Sequence, residues 1–138
     1  MHISTTCIYN YSANTTVAGT NLTYTSYARA ATGNVTEGVF GGGGNGSGLS
    51  TTSIYNYSAN TTVAGTNLTY TVVNLVATGN STEGVFGGGY NGNNSSGIYY
   101  YTTSIYNYSA NISILGTNLT YAAMGLAACS PQANGLSS

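Results

Sequence analysis

The chain has 138 residues, with one basic side chain, two acidic ones and a formal net charge of -1. It is 41% apolar but only 2% charged, so it can build one modest core while carrying about a tenth of the usual charge. A single cation cannot neutralise a run of phosphates, which excludes nucleic acid as a partner. No apolar run approaches the roughly 20 residues of a membrane helix, so no membrane insertion is expected. Low charge with moderate hydrophobicity also differs from the composition of disordered chains. A net charge near zero removes repulsion between copies and favours self-association.

The opening residues, MHISTTC, have neither the basic nor the apolar region of a signal peptide. They lead directly into a repeat, so the compartment is left open; a fragment of an extracellular protein fits as well. TTCIYNYSANTTVAGTNLTYT begins at Thr5, returns at Thr51 with Ser53 in place of Cys7, and returns with further changes at Thr102, offsets of 46 and 51 residues. ATGNVTEGVFGGG from Ala31 returns as ATGNSTEGVFGGG from Ala77. The difference in offset lies between the glycine run and TTSI, which marks a loop that tolerates length change. Repeats of this length point to solenoids or propellers.

Taken in order, residues 1–24 open with what reads as the third and fourth strands of a four-strand unit. Residues 27–66 form one full unit and residues 73–117 another. In the latter the strands are expected at Val73–Thr78, Thr82–Gly87, Thr102–Tyr108 and Ile112–Leu115, rich in Val, Ile, Thr, Tyr and Phe. Turn residues separate them: Thr78-Gly79-Asn80, the glycine-rich loop, and Ser109-Ala110-Asn111. Residues 118–138 then supply a first strand near Leu126–Ala128 and a degenerate second one. No segment shows helical periodicity with caps. The expected fold is all-β: propeller blades of four antiparallel strands, three per chain, with one blade split between 1–24 and 118–138.

The glycine pairs Gly41-Gly42 and Gly87-Gly88, the variable loop after them, and the tyrosines Tyr9, Tyr11, Tyr55, Tyr57, Tyr106 and Tyr108 resemble kelch repeats. In that family an apolar strand ends in a glycine pair, and a later strand carries a Tyr near its end. A Trp then opens the last strand; here the chain has no Trp, and Val17, Val63 and Ile112 sit near that place. The resemblance spans nearly the whole chain and implies a propeller. Three blades are too few to close a ring, since propellers typically have four to eight. The expected assembly is a homodimer of six blades, each split blade completed by the other chain.

Catalytic candidates fare poorly. The glycine run lacks the Lys-Ser/Thr of a phosphate loop and the helix of a dinucleotide site. It reads as a strand exit needing close backbone approach. Glu37 and Glu83 occupy equivalent positions in adjacent units, whereas acid–base work needs carboxyls in different environments. Cys7 and Cys129 fall two strands apart in the split blade, beyond disulfide reach, and are expected as free thiols. His2 is alone and terminal, and no cluster has metal-ligand spacing. The expectation is therefore no enzyme activity, no cofactor and no metal.

Two residue types remain as binding candidates. Fourteen Asn begin N-x-Ser/Thr sequons; Asn14, Asn21, Asn34, Asn60, Asn67, Asn80 and Asn118 are glycan candidates in a secreted setting, against the reading that Asn beside Ser/Thr is turn chemistry. Tyr24, Tyr70 and Tyr121, with Tyr90, Tyr99, Tyr100 and Tyr101, would share one propeller face, nearly uncharged and suited to carbohydrate or protein; the competing reading is packing between blades. The function expected is a self-assembling binding or structural scaffold. A glycosylated extracellular fibre and a carbohydrate-binding propeller are the alternatives.

Overall fold

The computed structural model describes residues 1–91 and 97–130. Within them the chain is all-β, with ten antiparallel strands in three open sheets and no helix. β1 (Thr6–Asn10) pairs with β2 (Thr15–Gly19) alone. β3 (Ala30–Gly33), β4 (Glu37–Gly41), β5 (Thr52–Asn56) and β6 (Thr61–Gly65) form a four-stranded meander. β7 (Val76–Gly79), β8 (Glu83–Gly87), β9 (Thr103–Asn107) and β10 (Ile112–Leu115) form the second.

The hairpins follow from the repeated Asn residues. In NYSAN, the Asn10 side-chain oxygen accepts from Ser12 Oγ at 2.8 Å and Ala13 N at 2.9 Å. Asn56 and Asn107 do the same for Ala59 N and Ala110 N, both at 2.9 Å. The last Asn of each motif takes positive φ: 53° at Asn14, 51° at Asn60 and 50° at Asn111. Asn tolerates that conformation better than most non-glycine residues, and it turns the chain back on itself. In GNVTE, Asn34 Oδ1 accepts from Thr36 N at 2.9 Å and Glu37 N at 3.0 Å, and Asn80 repeats the arrangement. These Asn, each the first residue of a sequon, make the turns between strands.

The core lies between the two four-stranded sheets. Val39, Ile54, Leu68, Val72, Leu75, Phe86, Tyr106 and Tyr108 form it, and β3 packs against β7 and β8. Phe86 is fully buried and lies over Gly41 of the preceding sheet, where a Cβ would stand 3.0 Å from its ring.

Two expected strands differ. The strand expected from Val73 begins at Val76, because Asn74 adopts φ 54° and breaks the extended run. Val73 instead makes an isolated bridge to Tyr90. Residues 121–130 carry no strand, although they start along the path of the earlier units. Gly89 N donates to Ala123 O at 2.8 Å as Gly43 N donates to Val72 O at 2.8 Å. Among the described residues no strand lies beside 121–130 to form a ladder. The degenerate second strand, expected within 129–138, falls almost wholly outside the described residues.

Candidate binding face and the joints between sheets

The TEGVFGGG segments act as joints. Gly42 and Gly43 have φ of 69° and 87°, and Gly88 and Gly89 have 65° and 90°. A Cβ at Gly43 would stand 2.5 Å from Tyr27 O, and one at Gly89 2.6 Å from Val73 O. Only glycine permits both the conformation and the approach. Glu37 and Glu83 begin β4 and β8 and are half-buried. Burial raises the Glu37 carboxyl above its ordinary pKa. Among the described residues no three His, Cys, Asp or Glu side chains gather as a metal site.

The tyrosines of the expected face divide into two sets. Tyr24 donates to Gly42 O at 3.1 Å, and Tyr70 donates to Gly88 O at 3.1 Å and Thr102 O at 3.0 Å. Burial pushes the Tyr24 hydroxyl up to about 12, with the nearby Arg29 cation opposing, and raises Tyr70 further. These two rings brace the glycine joints. Tyr100 packs edge-on against Tyr70 with centroids 5.2 Å apart. Tyr90 is half-buried and tilted toward Tyr99 at 6.2 Å. Tyr99, Tyr101 and Tyr121 remain at least half exposed, at 51%, 50% and 69%. They are the part of the set available to a ligand.

Arg29, the one strong cation, is also used internally. Its guanidinium donates to Ser26 O at 2.6 Å and to Ile3 O, and lies 5.5 Å from the Tyr24 ring centre. Cys7 and Cys129 are free and exposed. Of the glycan candidates, Asn14, Asn21, Asn60, Asn67 and Asn118 are exposed, while Asn34 and Asn80 are half-buried at their turns.

A contact that sequence reasoning missed joins successive units. Asn60 Oδ1 accepts from Tyr55 Oη at 2.7 Å and from Thr20 N of the preceding unit at 2.9 Å. Asn111 Oδ1 accepts from Tyr106 Oη and from Thr66 N at 2.9 Å. The Tyr55 hydroxyl lies 3.0 Å from where a Cβ on Gly19 would stand, and that of Tyr106 2.5 Å from one on Gly65. Each junction therefore seats a Tyr on a Gly and locks an Asn to a Thr of the preceding unit.

The chain's two ends are unlike its middle. Tyr11 is 90% exposed, whereas its counterparts Tyr57 and Tyr108 are 48% and 5% exposed. Phe40 is only half-buried where Phe86 is fully so. Clefts of about 590 and 450 Å³ flank β1, and Cys7 and Phe40 line both.

No family model matches the chain, and no curated protein does.

Proposed function

We propose that this chain is a non-enzymatic, kelch-like propeller unit that self-assembles, two copies closing a ring of six four-stranded blades that acts as a binding or structural scaffold. The observation that carries this reading is the pair of unlike ends. β1–β2 is half a four-stranded sheet, with clefts on its open side, and residues 121–130 follow a first-strand path without a ladder. The halves are the complementary parts of one sheet. A sheet edge with unpaired N–H and C=O groups invites pairing with another chain. Native mass over a range of concentrations tests it. Two chains per particle are expected; an open series of larger particles favours the fibre arrangement of the same units.

The exposed Tyr99, Tyr101 and Tyr121 favour a second reading, carbohydrate binding by stacking on a neutral aromatic surface. A glycan array tests this, and an absence of binding to every sugar rejects it.

A further inference from the structure

We infer that the C-terminal end of one copy docks on the β1–β2 hairpin of a second copy through a third instance of the Tyr–Asn/Gly–Thr junction. This rests on the assembly reading above and names the contact that carries it.

The junction occurs twice within the chain, and each end holds one prepared half of it. On the hairpin, Asn14 has φ 53°, matching Asn60 and Asn111, and Tyr9 Oη already donates to Asn14 Oδ1 at 2.5 Å. Among the described residues no Thr donates to it as Thr20 does to Asn60. At the other end, Thr117 O accepts from Thr103 Oγ1 at 2.9 Å, as Thr66 O accepts from Thr52 Oγ1 at 2.9 Å. Thr117 is thus held in the pose of its counterparts, yet no Asn among the described residues meets its N–H or hydroxyl.

The internal junctions dictate the fit. Thr117 N donates to Asn14 Oδ1 of the second copy, and Thr117 Oγ1 donates to Asn14 O, as Thr20 does to Asn60. Thr16 Oγ1 donates to Asn118 O, as Thr62 donates to Asn21 O at 2.6 Å. Tyr9 settles over Gly116. Its exposure shows what is missing: Tyr9 is 47% exposed, while Tyr55 and Tyr106, each seated on a glycine of the preceding unit, are 5% and 0% exposed. The occupant is a second copy of this chain because the donor set required by Asn14 is the one that Thr117 presents.

One native thiol reports the geometry. Cys7 takes the place of Ser53, which is fully buried and accepts from Thr23 N of the preceding unit at 3.1 Å. Docking therefore covers the Cys7 thiol, which is exposed in the single chain.

The test is sedimentation of the full chain and of its Asn14→Gly, Thr117→Val and Asn60→Gly variants, with maleimide labelling of Cys7 in the wild type read by peptide mapping. Glycine keeps the positive φ and removes the acceptor. In a two-junction ring, Asn14→Gly is expected to raise the dissociation constant about 25-fold, fivefold per junction. Thr117→Val weakens it in the same direction. Asn60→Gly breaks an internal copy of the contact, so it lowers the melting temperature and leaves association within about twofold. At equal reagent excess, Cys7 of the wild type is labelled more slowly where two-chain particles dominate than in dilute single chains. If particles of two chains persist with unchanged affinity in both end variants and Cys7 is labelled equally fast in particle and single chain, the junction is wrong and assembly uses another surface. If Asn14→Gly does not fold, Thr117→Val and the labelling of the wild type decide. A single chain at every concentration removes the assembly reading, and the junction with it.

Discussion

Phe40 and Phe86 are the same residue of the same repeat in two surroundings, and truncating each measures how the sheets stack. Phe86 is fully buried between its own sheet and Gly41 of the sheet before it. Removing a buried Phe ring costs about 3–5 kcal/mol, the sum of lost transfer energy and the cavity left behind. At about 2.1 cal/mol/K per residue of unfolding entropy, a chain of this size loses roughly 3–4 °C of melting temperature per kcal/mol. Phe86→Ala is therefore expected to lower it by about 10–17 °C. Phe40 is half-buried and opens onto the clefts beside β1. In dilute solution, Phe40→Ala is expected to cost about half as much, since about half the contact is present. Thermal unfolding followed by near-ultraviolet circular dichroism reads both. Equal losses for the two variants in dilute protein would refute the stacking order, because Phe40 would then have a covering sheet that the structure does not give it.

Three further outcomes follow from the same contacts. Gly89→Ala places a Cβ 2.6 Å from Val73 O at a φ of 90°, so it is expected to cost about 2 kcal/mol or more, whereas Gly46→Ala, with a φ of 117° and open space around it, pays backbone strain of about 1 kcal/mol; urea midpoints compare them. Asn60→Gly keeps the turn but leaves the Tyr55 hydroxyl and Thr20 N–H without their acceptor, a loss of about 1–3 kcal/mol measured by urea unfolding. The Tyr24 hydroxyl is raised to about 12 in the folded chain against an ordinary 10. The unfolded chain releases that proton first, so stability is whole below pH 10 and falls as pH rises toward 12; a tyrosinate absorbance titration that shows every Tyr ionising near its ordinary value contradicts this.

The strands and turns were legible because the repeat presents each signal more than once. β-branched and aromatic runs, Gly at strand exits and Asn in turns placed Glu83–Gly87 and Ile112–Leu115 closely. Val73–Thr78 was placed too early, since its residues favour extension while Asn74 bends the chain for a tertiary reason, its N–H reaching Ala28 O at 3.0 Å. The candidate face was legible in composition but not in role. Nothing near Tyr24 or Tyr70 in sequence says that their hydroxyls turn inward to glycine carbonyls. The Thr–Asn junction spans about one repeat and joins two residue types that are common throughout the chain, so no local pattern reveals it. The sequons show the same limit: their Asn read either as glycan acceptors or as turn residues, and the fold uses the side-chain oxygens of Asn10, Asn34, Asn56, Asn80 and Asn107 to close turns.

The central claim is that unlike ends of two chains complete one another, and native mass spectrometry tests it most directly. The expected particle has twice the 14.0 kDa chain mass at micromolar concentration and dissociates on dilution without passing through larger species. A species of one chain mass throughout contradicts it.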